Sequence, residues 1–586
     1  MTFAELLDQV GGMGRFQILN VVLLSSPIVF MAAHNLLQNF TAAIPSHHCR
    51  VAFNHTCDGG NASKKVGCTD LLKASIPTDS YQRVQKCRRF VTLQWQLLNP
   101  NSSEARGAEA AETEPCWDGW TYDSRVFAST IVTEWDLVCE FRTLQQMAQS
   151  IYMAGVLVGA VAFGSLSDKF GRKALLIWSC LQMAVSGSCA AFAPSFTAYC
   201  IFRFLSGMAL SGVSLNCVSL SVEWTPMHSR ATVSMVTGYG YSVGQFVLAG
   251  VAYAIRDWRW LQLAVSFPYF VFFLYAWWFI ESARWYATTG KLDQALTELH
   301  KVARINGQKE QEQKLSLEVL RANLQKEMAS AKSTFTVVDL VRTPGVRRIT
   351  CCLFFVWFST SFAYYGLAMD LQNFGVDVYL IQVIFGAVDI PAKLIAFIVI
   401  CYCGRRITQA LSLILAGLAI AANIFVPQDM QILRTVLAVF GKGCLAASFN
   451  CVFLYTGELY PTVIRQTGMG FGNTMARVGG IVAPLVKMTG EYFPTLPILI
   501  YGASPIISGI AACFLPETLN VPLPDTIEDV ESQSVVQEKT DRSSKEINSH
   551  QDGVVLQTRL CKESTQDTSA DSPLHDRPPK PGAPPL

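Results

Sequence analysis

The sequence predicts an all-α membrane protein of twelve transmembrane helices, arranged as two six-helix halves with a large extracellular loop after helix 1. Three observations predict it. Of the 586 residues, 51% are apolar and only 15% are charged, where a soluble chain carries about a quarter charged residues. Apolar runs recur along the chain, most of them near the roughly 20 residues a bilayer requires. Two different polar motifs each recur one half later. A net charge of +2 gives no reason to expect a nucleic-acid partner.

The elements follow in order. Met1 to Gln17 carries Glu5 and Asp8 and no basic residue before Arg15, unlike a cleavable signal peptide. Residues 1–44 are therefore a cytosolic N-terminus and the first span, whose apolar run begins at Phe16. Residues 45–141 are polar and hold six of the 18 cysteines, Cys49, Cys57, Cys68, Cys87, Cys116 and Cys139. With N-x-S/T sequons at Asn54, Asn61 and Asn101, and Asn39 just before, this reads as an oxidised, glycosylated extracellular loop. Spacing leaves the disulfide pairing open. The other cysteines read as small buried hydrophobes.

Residues 142–283 hold runs near 143–166, 174–193, 197–222, 232–255 and 259–281. Residues 284–346 interleave Lys and Arg with acids, the pattern of a solvated amphipathic insert on the membrane surface. Residues 347–516 hold runs near 349–371, 376–402, 408–426, 430–455, 466–488 and 496–515. The tail, residues 517–586, is cytoplasmic and mostly too polar to form a core. Lys169, Arg172, Lys173, Arg405 and Arg406 mark one set of connections, while 193–197 and 427–429 carry no Lys or Arg. The positive-inside rule then puts both termini and the central loop in the cytosol.

The repeated motifs are specific. Gly164 to Lys173 (GSLSDKFGRK) ends span 2, and Cys403-Gly404-Arg405-Arg406 ends span 8. Glycine lets helices approach closely, and Asp168, Arg172 and Arg405 supply ion pairs expected to hold the halves together and break as they rock. Glu223 to Pro226 with Arg230 follows span 4, and Glu458 to Pro461 with Arg465 follows span 10. Repeats of six spans are what alternating-access carriers are built from.

On these motifs the chain resembles the organic ion transporter family of the major facilitator superfamily, over residues 1 to about 531. The glycosylated loop, the 164–173 motif, Glu281-Ser-Ala-Arg284-Trp and Pro516-Glu-Thr carry the likeness. Leu6 to Gly12, Gln38 to Pro45 and Ser361 to Gly366 are similar to the organic anion branch, especially its renal-type anion/dicarboxylate exchangers. Cys57 and Cys68 look like a pair beyond the usual four loop cysteines, and the tail is the chain's own. The resemblance implies a plasma-membrane antiporter, basolateral in an epithelium, moving organic anions against a dicarboxylate such as 2-oxoglutarate.

Charged residues inside spans are costly and functional by default. Lys393, Lys442 and Arg477 are the candidates. Asp389, one turn before Lys393, allows a self-neutralised intrahelical pair. Arg477 has no acid within four positions, so it needs a cavity, a ligand or a partner on another helix, and its fork suits a carboxylate. The cation-transporting branch carries an aspartate at that place, which favours an anion here. Tyr241, Trp357, Tyr364, Tyr365, Phe449 and Phe453 are candidate aromatic walls, though aromatics in such helices mostly pack or face lipid. At most one of Tyr364 and Tyr365 is expected to face the centre. By resemblance Tyr241, Tyr365, Lys393, Phe449 and Arg477 match anion-binding positions, and Ser214 matches one linked to chloride. Asn35 is a further contact, and His34 reads as a hydrogen-bonded imidazole.

The chain has no GxxxxGK[ST] and no zinc-spaced cluster, so neither an ATP-driven pump, an enzyme, a metal nor a cofactor is expected, chloride aside. Gly468 to Gly472 is better read as helix packing than as a nucleotide loop. The alternatives are a cation or zwitterion facilitator and a non-transporting membrane sensor on a transporter scaffold. Substrate preference and oligomeric state are not legible.

Overall fold

The computed structural model describes residues 3–51, 68–78, 84–94, 111–308, 317–318, 320–321, 338–374, 376–427, 429–461, 463–521, 523–524 and 526–532. Asn54, Asn61, Asn101, Cys57 and the tail beyond 532 lie outside them.

Span 1 is Arg15–Leu36, continued by the short turn Gln38–Thr41. Spans 2 to 5 are Arg142–Phe170, Arg172–Ala191, Phe196–Glu223 and Arg230–Ala254. Span 6 is broken into Trp258–Ser266 and Pro268–Ala276, shorter than the 259–281 run, because Pro268 has no N–H with which to continue the ladder. Spans 7 to 12 are Pro344–Ala368, Val378–Cys403, Arg405–Ala422, Gln431–Leu459, Arg465–Met488 and Leu496–Ala512. Eight of the helices are long and apolar enough to cross a membrane by themselves. Spans 5, 6, 11 and 12 fall outside that set. Spans 5 and 11 are long but rich in glycine and polar side chains, and they line the centre.

Each half packs as a unit with the same pairings. Span 4 lies against 2 and 3 in the first half, as span 10 lies against 8 and 9 in the second. The halves meet along two seams, span 2 against span 11 and span 5 against span 8.

The two motifs build the same brace twice. Gly171 (φ 99°) and Gly404 (φ 92°) turn the chain into the next helix, a backbone that L side chains rarely adopt. Glu281 then accepts from the backbone N–H of Arg172 (3.1 Å) and Lys173 (3.0 Å). Glu517 does the same for Arg405 (2.8 Å) and Arg406 (3.0 Å). Both carboxylates satisfy orphan donors at a helix N-terminus. A Cβ at either glycine would collide with the facing carboxylate.

Arg172 reaches Glu223 (3.3 Å) and Asp168 (3.1 Å), and Arg405 reaches Glu458 (2.9 Å). Arg230 bonds the Thr225 carbonyl and Arg465 the Tyr460 carbonyl. The expectation that these residues tie one half to the other is corrected. Every one of these bonds stays inside its own half, because each arginine follows a turn that aims it at the next helix of the same bundle.

The halves are instead joined from mid-bundle to the face that carries the large loop. Ser150 Oγ donates to the Ile481 carbonyl, and Asn39 Nδ2 donates to Ala368 O (2.9 Å). Phe40 stacks on Tyr379 at 5.4 Å. Asn39 is 8% exposed, so its reading as a glycosylation site is corrected. The nitrogen a glycan requires is inside the bundle in this conformation.

In the loop, β1 (His47–Cys49) pairs antiparallel with β4 (Trp120–Tyr122), and β2 (Arg88–Phe90) with β3 (Thr113–Pro115). Disulfides Cys49–Cys116 and Cys87–Cys139 resolve the pairing of four of the loop cysteines. The amphipathic helix of the central insert packs its apolar face on protein. Leu292–Ile305 buries Ala295, Leu299, Val302 and Ala303 in the first half's core, beside Leu6 and Leu7 of the N-terminal helix. Asn306 locks it there, accepting from Phe16 N–H and donating to Val10 O and Gln17 Oε1.

Replacing Glu517 by Ala removes a charged acceptor from two helix-terminal N–H groups, and the folded state should lose about 1.5–3 kcal/mol. Glu281→Ala should behave alike. Thermal unfolding of the purified protein checks both, and unchanged midpoints would show that the caps are dispensable.

Candidate functional site

The site sits mid-bundle where the two seams meet. Span 11 carries Arg477 on its inner face because small residues flank it. Gly479 lets the span 7 backbone approach, and Gly480 leaves room for the Tyr365 ring. Arg477 Nη1 crosses to the first half and donates to Val156 O (2.8 Å) and Ser211 Oγ (2.5 Å). Among the described residues no carboxylate lies within ion-pair distance of it. Tyr365 is its electrostatic neighbour, and the Tyr241 hydroxyl stands beside Tyr365 and Asn35. Asn35 is nearly buried and fixed by the Tyr152 hydroxyl, which lies 2.9 Å from its Oδ1.

The second seam carries the other charges. Asp389 does not pair with Lys393 one turn away, so the intrahelical reading is corrected. It takes Lys442 of span 10 instead (2.9 Å), with both side chains at 2% exposure or less. Gln245 of span 5 donates to the other Asp389 oxygen at 2.6 Å and accepts from Lys442 at 3.2 Å, which carries the pair across the seam. Lys393 is left with neutral partners, Gly238 O (2.7 Å) and Ser242 Oγ (3.0 Å).

Tyr364 and Tyr365 diverge, as their helical spacing requires. Tyr364 turns to the Lys442 ammonium (5.2 Å) and the edge of Phe449 (5.4 Å), while Tyr365 turns to Arg477. Ser214 is half-buried on span 4, one turn from Ser211.

Two candidates lie further along their helices. Trp357 is fully buried, its Nε1 spent on Thr456 Oγ1 (3.0 Å). Phe453 packs edge-on against Trp357 and lines a cleft of about 420 Å³ with Arg405, Glu458 and Thr518, beside the chain that follows span 12. Trp357 packs within the second half, while Phe453 beside it is 43% exposed.

Asp168, Arg172, Glu223, Arg230, Arg405, Glu458 and Arg465 all lie at the face of the termini, away from this centre. Cys49, next to His47 and His48, is tied up in a disulfide and offers no thiolate to a metal.

Comparison with known proteins gives this geometry a lineage. Residues 90–529 match the sugar (and other) transporter family. Solute carrier family 22 member 6-A of Xenopus laevis is 58% identical over 91% of this chain and 94% of its own length. Solute carrier family 22 member 6 of Oryctolagus cuniculus is 58% identical over 91% and 95%, and that of Rattus norvegicus 56% over 91% and 95%. The chain belongs to this solute carrier family.

It is therefore a membrane transporter and not an enzyme. The inward open conformation of the xylose transporter XylE from E. coli superposes with a TM-score of 0.55 at 18% identity, covering 68% of this chain and 91% of that one. The major facilitator superfamily proton:xylose symporter XylE with a bromodeoxyglucose bound gives 0.50 at 17% identity, over 68% and 90%. These likenesses establish the twelve-helix major facilitator fold.

Sequence reading missed four of the carrier's central residues. Ser211 and Gln245 are ordinary polar residues whose weight comes from reaching the opposite half. Tyr152 orients Asn35. Arg203 is fully buried in span 4 with its Cζ 4.1 Å over the Tyr152 ring. A basic residue flanked by apolar runs within 197–222 was the signal for it.

Asp389→Asn leaves Lys442 charged and unpaired, and should destabilise the carrier by about 3–5 kcal/mol. The double replacement Asp389→Leu with Lys442→Met should recover much of that loss, because it removes both buried charges. Thermal unfolding of detergent-solubilised protein tests the pair, and a double variant no better than the single would argue against this pairing.

Proposed function

We propose that this carrier exchanges aromatic or amphipathic organic anions for an intracellular dicarboxylate of the 2-oxoglutarate type, at the plasma membrane, by alternating access. The observation that carries the reading is Arg477. A guanidinium at mid-membrane, bonded among the described residues to a carbonyl and a hydroxyl, keeps its charge for a ligand. Its planar fork can bind a carboxylate through two parallel bonds. Lys393, bonded among the described residues to a carbonyl and a hydroxyl rather than in an ion pair, supplies a second positive charge for the far end of a dicarboxylate. Tyr365, Tyr241 and Phe449 offer flat apolar faces for an aromatic body.

The relatives' place in solute carrier family 22 and this chain's own resemblance to the organic anion branch support the same reading. We assign both termini to the cytosol and the large loop to the outside. The conformation described, joined on the loop side, is then the inward-facing one, in which the dicarboxylate loads. In an epithelium the resemblance favours the basolateral side. Ser214, one turn from Ser211, is where a chloride would sit beside an unloaded Arg477.

Uptake of labelled p-aminohippurate, with and without glutarate preloading, tests the proposal. Preload should stimulate uptake and Arg477→Asp should abolish it. Arg477→Lys keeps the charge but loses the fork, and should lower transport efficiency at least tenfold, about 1.4 kcal/mol. Uptake indifferent to preload would remove the exchange mechanism. Arg477→Asp at the cell surface with normal uptake would remove the site.

A further inference from the structure

Arg203 is the most deeply buried charge that the transport site does not use. It is 0% exposed, in the loop-side half of span 4, and its Nε, Nη1 and Nη2 find no hydrogen-bond partner among the described residues. Nor does any described carboxylate lie within ion-pair distance of it. The guanidinium lies over the Tyr152 ring, 4.1 Å from the centroid, and a ring face offsets only part of what it costs to take a cation out of water. Its surroundings supply further polar groups. The His34 ring and the Tyr199 hydroxyl are buried and within electrostatic reach of Arg203, with the Val265 backbone beside His34 and Thr41 beside Tyr199. The packing leaves little space. Gly207, one turn on, lets span 4 touch the Tyr152 carbonyl, and a Cβ at Gly187 would strike Ser266 close to the His34 ring.

A buried, fixed cation faced by hydroxyl and imidazole groups, in a tightly packed interior, has one economical solution. We propose that the first half holds a small inorganic anion of halide size against Arg203, with the Tyr199 hydroxyl as a further donor and His34 alongside. A water molecule could satisfy the N–H groups but would leave the charge uncompensated, and the close packing around Gly187 and Gly207 favours a small ion over an organic carboxylate. The ion is separate from any anion at Arg477, which lies on span 11 of the other half. It acts as a resident counter-charge that fixes Arg203, and through the Tyr152 ring fixes Asn35. The inference stands whether or not the seam transports anions.

The test uses the purified full-length carrier in nanodiscs at constant ionic strength, with gluconate replaced stepwise by chloride. The unfolding midpoint should rise with chloride and with bromide. That rise should persist in Arg477→Ala and Ser214→Ala, and should move to at least tenfold higher chloride in Arg203→Lys, which keeps the charge but loses the fork. A wild-type midpoint indifferent to chloride overturns the proposal. So does a rise that vanishes in Arg477→Ala, or one unchanged in Arg203→Lys. If Arg203→Lys does not fold, bromide-soaked wild-type crystals decide it. Anomalous density against Arg203 supports the site, and its absence at saturating bromide removes it.

Discussion

A charge held away from water must be matched by another charge, and the centre of this carrier is arranged around which of its cations are matched. Two unit charges about 4 Å apart attract by about 4 kcal/mol at an effective dielectric near 20, so neutralisation outweighs most single packing contacts. Lys442 has Asp389 and is closed to a ligand. Arg477 and Lys393 have carbonyls and hydroxyls, which satisfy their N–H groups without cancelling their charge. The acid between Lys393 and Lys442 could serve either, and its choice of Lys442 leaves Lys393 open. One buried ion pair thus sets the number of free positive charges in the cavity.

The braces at the face of the termini do a different job. Glycine turn, carboxylate cap and Arg–Glu pair recur in each half with nearly the same distances. Each set fixes the entry of one helix relative to its neighbours in the same bundle. Close ion pairs are concentrated inside the halves, whereas most bonds across the seams join two neutral groups or a charge to a neutral group. Interhelical bonds between neutral groups in membranes contribute roughly 0.6–2 kcal/mol each, and the charge-to-neutral bonds of Arg477 and Lys393 are the ones an anion can replace.

Much of this was legible in the sequence because the bilayer leaves few options. Long apolar runs located the spans, and the rarity of charge singled out Arg477, Lys393 and Lys442. The repeat was legible as residues, but its use was not. Glu281 and Glu517 lie far along the chain from the glycines they cap, and spacing does not tell that an arginine will turn inward to its own half. The same gap explains Asp389. An acid at i−4 is a local signal, whereas Lys442 and Gln245 come from other helices whose rotation about their axes the sequence does not state. The burial of Trp357 was hidden for a related reason, since an aromatic looks the same in sequence whether it packs within a half or lines the seam. Cysteine pairing in the loop also needed the chain path.

The way Arg477 is held suggests how binding and movement are connected. It belongs to the second half, yet both of its bonds reach the first, to Val156 on span 2 and Ser211 on span 4. A carboxylate that takes the guanidinium fork competes with those bonds. Binding therefore cancels a buried charge and loosens the mid-bundle contact in the same event, while the aromatic rings from both halves close on the ligand body. When no anion is present, the guanidinium returns to the first half and the contact is restored with its charge uncompensated. An empty cavity then carries the uncompensated charges of both Arg477 and Lys393 against a low-dielectric barrier, and a loaded one carries fewer. For the exchange proposed above, that asymmetry would favour reorientation with an anion in place on each stroke, which is what separates an exchanger from a leak.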